Sequence, residues 1–252
     1  MQGENVISKE PEITICVLTF GEHPALARQV LGSIQAQCPR SRYRMVVGAN
    51  AVGDETARLL RECHQARQID HLISSPANLN KCPMMRLMFE KVETEFIWWF
   101  DDDSYITSSS ALRKWLDHAS KSSQDTVMWG QLNWCDSTIG FYHFNERATF
   151  EWVRAASWYR GLPLPSWRSG GKGEFNFNGT GMGDGRWYYL AGGCWMIRTA
   201  AIRALDWPDR RIEKMGDDTF LCEAIRQQGW KFRDNGSPGV AINTEARRGE
   251  RG

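Results

Sequence analysis

Three consecutive aspartates, Asp101, Asp102 and Asp103, follow the apolar run FIWWF. Like charges a few ångströms apart raise one another's pKa unless something cationic neutralises them, so such a run asks for a positive partner. All-oxygen donors suit a hard divalent ion, magnesium or manganese, and that ion would in turn bridge the phosphates of a nucleotide. A solvated acidic turn is the plain alternative. Placement directly after a strand-like run speaks for the metal, because ligands of α/β sheets gather at the carboxyl ends of strands. A second acidic pair, Asp217 and Asp218, opens MGDDTFLCEAIRQQGW, whose Phe220, Leu221, Ala224 and Ile225 share one helical face. The helix dipole favours carboxylates at any helix amino end, so capping competes with catalysis at this pair.

The elements that must position these groups alternate in type. ITICVLT, residues 13–19, is a β-branched run of the kind buried on both faces. Pro24 then opens a helix with Leu26, Val30, Leu31 and Ile34 on one stripe. RMVVGA reads as a strand, and TARLLRECHQAR as a helix capped by Asp54 or Glu55. HLISS is a short strand, MMRLMFEKV a helix and EFIWWF a strong strand. Strands alternating with helices at this pitch predict a parallel sheet. Thr19, Asn50 and Asp101 all fall at its carboxyl edge.

From about residue 107 the texture changes. SALRKWLDHAS predicts a helix, followed by aromatic strands around VMWGQLNW and IGFYHF. The stretch from Pro163 to Asp184 is rich in Gly, Pro and Ser and has neither helical nor strand period, which predicts a lid over residues 163–185. RWYYLAGGCWMIR predicts a strand broken by Gly192 and Gly193, with a helix near TAAIRAL after it. The expected organisation is one continuous domain, with a nucleotide-binding half over 1–106 and an acceptor-binding, catalytic half over 107–252.

Composition narrows the partners. With 31 basic against 30 acidic side chains, the chain has no overall pull toward a polyanion such as nucleic acid. It contains no apolar run near the roughly 20 residues needed to span a bilayer. The start MQGENVISKEPE lacks the layout of a secretory signal, so a soluble, cytoplasmic protein is expected. Seven scattered cysteines without short paired spacing point to reduced thiols rather than zinc ligands. Twelve tryptophans leave two readings open, ordinary core or platforms that stack on a sugar or a base. Trp134, Trp167, Trp187 and Trp195 are the candidates for contact with an acceptor, which could be a glycan, a protein or a modified nucleobase.

FIWWFDDDSYI resembles the DXD site of GT-A fold glycosyltransferases. VLTFGEHPALARQVLGSI resembles the first strand, loop and helix of glycosyltransferase family 2, and NLNKCPMMRLMFEKVETEFIWWFDDDSYI the stretch leading into its DXD strand. AGGCWMIRTAAIRAL is similar to the glycine pair behind the donor sugar, and MGDDTFLCEAI to the acidic helix start that supplies the base. The DDDSYI, GGCW and GDDTFL series is also similar to that of Fringe-like β1,3-glycosyltransferases. The resemblance implies a mixed, mainly parallel GT-A sheet flanked by helices, with an aromatic-rich acceptor region. It also implies a nucleotide-sugar donor, most simply UDP-linked, and a divalent metal.

Carried over residue by residue, it implies that Asp103 ligates the metal with Asp101 beside it, while Asp101 and Asp102 meet the ribose or sugar. Thr19, Phe20 and Glu22 would border the nucleoside, Asn50 the base, and Lys81 the base or phosphate. Gly192 and Gly193 would let backbone approach the donor. Independently of family, inverting sugar transfer needs a carboxylate to take the acceptor's hydroxyl proton, and Asp218 is the candidate, with Asp217 as its neighbour.

Two departures stand out: VVGAN replaces the family's usual aspartate after the second strand, and no histidine follows His143 to serve as a late metal ligand. A nucleotidyltransferase would carry a glycine-rich basic loop after the first strand, which TFGEHPAL lacks. A noncatalytic carbohydrate-binding protein would leave both acidic clusters without a role.

Overall fold

A computed structural model describes residues 11–135, 151, 153–162, 175–177, 180–182, 187–212 and 217–243. The first half alternates as expected: β1 (Ile13–Gly21), α1 (Pro24–Gln37), β2 (Tyr43–Val52), α2 (Asp54–Gln65), β3 (His71–Ser75), α3 (Lys81–Phe89) and β4 (Phe96–Asp101). Then come β5 (Ser104–Ile106), α4 (Ala111–Lys121), β6 (Thr126–Cys135), β7 (Phe175–Phe177), β8 (Thr180–Met182) and β9 (Trp187–Arg198). The last described elements are α5 (Thr199–Leu205), α6 (Asp217–Gln227), β10 (Lys231–Asp234) and β11 (Val240–Ile242).

Seven strands form one sheet in the order β10-β6-β9-β4-β1-β2-β3. β1 pairs in parallel with β2 and β4, and β2 with β3. β9 runs antiparallel to both of its neighbours, β4 and β6, so the sheet is mixed rather than wholly parallel. Strands from both halves of the chain share this sheet, and its core is continuous across residue 106.

Alternation along the strands builds two cores, because successive side chains of a strand point to opposite faces. Ile13, Ile15 and Val17 of β1 join Trp98 and Phe100 of β4 under the buried stripes of α1 and α4. Cys16 and Leu18 join Ile97 and Trp99 on the other face, under α3, α5 and α6. Trp98 packs on Trp115 with ring centroids 5.2 Å apart, and Trp99 stacks on Trp195 at 5.7 Å and 12°. Emptying any of these ring sites would leave a cavity costing about 3–5 kcal/mol.

Several local expectations need correction. α3 begins at Lys81, three residues before the predicted start, which places the lysine in its first turn. β9 is continuous through Gly192 and Gly193, although the jump in its register against β6 there marks an irregularity. The glycine-rich stretch holds a short antiparallel hairpin, β7 with β8, where no strand was expected. The rest of the expected lid, and the strand expected at IGFYHF, lie outside the described residues. The six cysteines whose side chains are described form no disulfide. Among the described residues, no helix is long and apolar enough to cross a membrane.

Candidate active site

The register of the sheet lines up the carboxyl ends of three strands. Phe20 sits opposite Asn50 on the β1–β2 side, and Leu18 opposite Asp101 on the β1–β4 side. The structure therefore brings Phe20, Asn50 and Asp101 to one edge.

Thr19 is 1% exposed and its Oγ1 donates to Gly48 O at 2.9 Å, so the hydroxyl ties β1 to β2. Asn50 is 2% exposed and holds the loop before α3. Its Nδ2 donates to Asn78 Oδ1 and Asn80 O, and its Oδ1 accepts from Leu79 N–H at 2.9 Å. Both ends of that amide are engaged by the loop at 78–80. Asn80, which the loop holds at φ 65°, delivers the chain directly to Lys81. Phe20, by contrast, is 39% exposed at the strand end.

Glu22 crosses to the start of α2, where its Oε1 accepts the Thr56 N–H at 3.3 Å. It caps the helix expected to be capped by Asp54 or Glu55, which lie in the first turn themselves. A Cβ at Gly53 would collide with this carboxylate, so the glycine makes the room. Glu22→Ala should lower stability by about 1 kcal/mol, measured by urea unfolding, the usual cost of a lost cap. An unchanged midpoint would show that the carboxylate caps nothing.

The three aspartates of the acidic turn have separate surroundings. Asp101 Oδ1 accepts from Trp99 Nε1 at 3.0 Å and its Oδ2 from Lys81 Nζ at 3.1 Å. Burial pushes the Asp101 carboxyl up, Lys81 pulls it down, and Asp217 and Asp103 push it up again, with a net rise. Asp102 is 3% exposed and its Oδ2 accepts the Phe20 N–H at 3.2 Å, which fixes the turn to β1. Asp103 Oδ1 is buried and has no hydrogen-bond partner, while its backbone oxygen accepts the Asn243 N–H at 2.7 Å. That bond continues the antiparallel pairing of β11 with β5, in which Ile242 faces Ser104.

The helix start of α6 faces this turn. Lys81 Nζ lies 3.0 Å from Asp217 Oδ2 as well as 3.1 Å from Asp101, and 5.7 Å from the centre of the Trp99 ring. Burial alone would lower the lysine's pKa, but Asp101, Asp217 and Asp218 overcome it and hold the ammonium above its ordinary range. Asp218 Oδ1 accepts from Thr219 N–H at 2.7 Å and from its hydroxyl at 3.2 Å. Its Oδ2 points at Gly192, where a Cβ would lie 3.0 Å away. Burial first, and Asp217 second, push the Asp218 carboxyl up to about 7. Gly193 fits against Ser104, whose Oγ donates to Gly193 O at 2.9 Å.

Trp195, expected to face an acceptor, is 1% exposed and stacked in the core, and Trp158 is likewise buried. Of Trp134 and Trp187 the structure describes the backbone, in adjacent β6–β9 register, and Trp167 lies outside the described residues. Sequence reasoning missed Trp99. It stands two positions before Asp101 on a strand, so the same-face spacing of two was the available signal.

An acidic turn at the end of β4, facing a carboxylate helix start across a glycine pair in a mixed α/β sheet, defines the class, a GT-A fold. Residues 14–205 match the sequence profile of glycosyl transferase family 2, and the chain belongs to that family. Among solved structures it is similar to the mannosyltransferase PcManGT from Pyrobaculum calidifontis in complex with GDP-Man and Mn2+. The two share 14% identity and a TM-score of 0.60, over 90% of this chain and 55% of that one. It is also similar to S. aureus TarS 1-349 in complex with UDP, at 13% identity and a TM-score of 0.57, over 88% and 60% of the two chains. At such identities the likeness is one of fold, and the chain spans about three fifths or less of these proteins' lengths. No curated protein matches it.

Proposed function

We propose that this chain is an inverting glycosyltransferase that moves a sugar from a nucleotide diphosphate, UDP-linked, to an acceptor hydroxyl, with Asp218 as the base. The observation that carries this reading is the placement of Asp218. A carboxyl raised to about 7 has its second oxygen beside Gly192, on the helix start that Lys81 joins to the acidic turn. A base whose pKa lies near the working pH transfers protons most effectively. GDP-Man with Mn2+ and UDP, bound by two proteins of this fold, support the donor class.

In this reaction the acceptor oxygen attacks the anomeric carbon from the face opposite the diphosphate. The new C–O bond forms as the bond to the phosphate oxygen breaks, and the hydroxyl proton passes to Asp218 Oδ2. Thr219 holds Oδ1 and so keeps Oδ2 aimed. The glycines at 192 and 193 keep side chains out of the donor's path, and exposed Phe20 offers a face to the base. Lys81 faces the diphosphate.

A divalent ion fits one residue of the turn: Asp103 has a buried oxygen that lacks a partner, a suitable seat for a hard cation. Among the described residues no three acidic, cysteine or histidine side chains converge to cage a metal, so phosphates and water would complete its shell. When bound, it would offset charge on the leaving diphosphate. Residues 1–106 then serve the donor and 107–252 the acceptor, which would enter beside Trp134, Trp167 and Trp187, ring systems suited to a glycan or a base.

A panel of UDP-, GDP- and dTDP-sugars, assayed with and without manganese, tests this reading. Turnover of one sugar nucleotide, raised by manganese, is the expected result. Pyrophosphate release from a nucleoside triphosphate, or glycan binding with no turnover of any donor, would overturn it.

A further inference from the structure

Lys81 joins two parts of the site that the proposed reaction uses at different moments. Its ammonium is held between Asp101 of β4 and Asp217 of α6, at 3.1 and 3.0 Å, with the face of Trp99 behind it. Of its three N–H donors one goes to Asp101 Oδ2, whereas the buried Asp217 Oδ2 meets the ammonium as an ion pair without a well-aligned hydrogen bond. The Lys81 side chain is 20% exposed and that of Asp217 8%, so water does little to screen the pair.

The two carboxylates are not held equally. Asp101 is anchored a second time, by Trp99 Nε1 at 3.0 Å. Asp217 has no such second anchor among the described residues, and it lies on a different element, the helix that carries Asp218. A diphosphate arriving at Lys81 must displace one of these carboxylates, and Asp217 is the one that can leave.

We propose that the Lys81–Asp217 ion pair is a latch between the donor and acceptor sides of the site. Without nucleotide, Lys81 holds Asp217. An incoming nucleoside diphosphate takes the ammonium, and Asp217 is released beside Asp218 to accept a hydrogen bond from the acceptor. Donor binding therefore precedes acceptor binding, and Lys81 is a positioning residue for the acceptor side as well as a phosphate contact. This rests on the donor reading above.

The latch has an unusual consequence. Because the pair must open, Asp217 opposes nucleotide binding, and removing its charge strengthens it. Calorimetric titration of UDP and GDP, with manganese present, tests this on the wild type, Asp217→Asn, Lys81→Met and the double variant. Asp217→Asn should bind UDP about fivefold tighter or more, the lower end of ordinary coupling between sites. Lys81→Met should bind it more weakly, and the double variant should match Lys81→Met. Uridine, which has no phosphate, should bind all four alike. Asp217→Ser gives a second route to the same gain.

Unchanged or weaker UDP binding by both Asp217 variants overturns the latch. So does a gain that persists without Lys81, since that would be a field effect of the lost charge. If the wild type binds neither UDP nor GDP, the donor reading and the latch fall together. If it binds and the Asp217 variants gain nothing, the latch alone falls.

Discussion

Asp218→Asn should lower the transfer rate by about 10³-fold, within the range supplied by a positioned general base. Nucleotide affinity should change far less than the rate, because Asp101 and Asp217 form ion pairs with Lys81 whereas Asp218 acts on it only through its field. The asparagine keeps the bond from Thr219 and the packing on Gly192 but cannot take a proton. The pH profile carries the same information. With Asp218 raised to about 7 by burial and by Asp217, the base form is populated above that value and lost below it. The wild-type rate should fall about tenfold per pH unit on the acid side and level off on the alkaline side.

Stability should move the other way. A carboxyl whose folded pKa lies above its unfolded value stabilises the fold while protonated. That contribution is whole below about 4 and is lost as pH rises through about 7. At pH 8 the wild type holds an ionised carboxylate at a cost that asparagine avoids, so Asp218→Asn should melt higher there and nearer to the wild type at pH 4. A variant with wild-type transfer rates would remove Asp218 from the mechanism. A variant that lost activity but also melted lower at pH 8 would indicate a structural role.

Asp103→Asn should weaken manganese binding by about 10²-fold, consistent with the several kcal/mol that a metal contributes to charge stabilisation. Electron paramagnetic resonance of Mn2+ with UDP present measures this without reference to turnover. The neighbouring Asp102→Asn should behave differently. Asp102 is buried against the Phe20 N–H, so its loss should lower the melting temperature and leave manganese binding nearly intact. Equal losses of manganese in both variants would mean that the turn binds as a unit and that the separate roles of Asp102 and Asp103 are wrong.

Much of the fold was legible because its signals are local. The β-branched run at 13–19, the aromatic run at 96–100 and the helical stripes between them declare their own element types. The acidic turn was legible because three adjacent charges are costly without a partner. What local pattern could not carry was pairing. Nothing inside RWYYLAGGCWMIR states that it will run antiparallel between β4 and β6.

The same limit applied to Thr19, Glu22 and Asn50. Their polar atoms are used by Gly48, Thr56 and the loop at 78–80, all remote in sequence. Lys81 was picked out for a nucleotide contact, but its pairing with Asp217 depends on a helix remote in sequence that packs on the same face of the sheet. Tryptophan content was ambiguous for a different reason, since burial and stacking select the same ring. Of the eight tryptophans whose side chains are described, seven are at most 3% exposed and Trp230 is partly buried, so the core took nearly all of them.

The pairing of β11 with β5 affects how this protein is made. The backbone of Asp103 is clamped by Asn243, more than half the chain away in sequence. Contacts between such distant segments form late, after the intervening chain has been synthesised and folded. On the ribosome, β1 to β4 can assemble while the acidic turn still lacks its clamp. The acidic turn is therefore completed only after β11 has been made, although its own residues are translated much earlier.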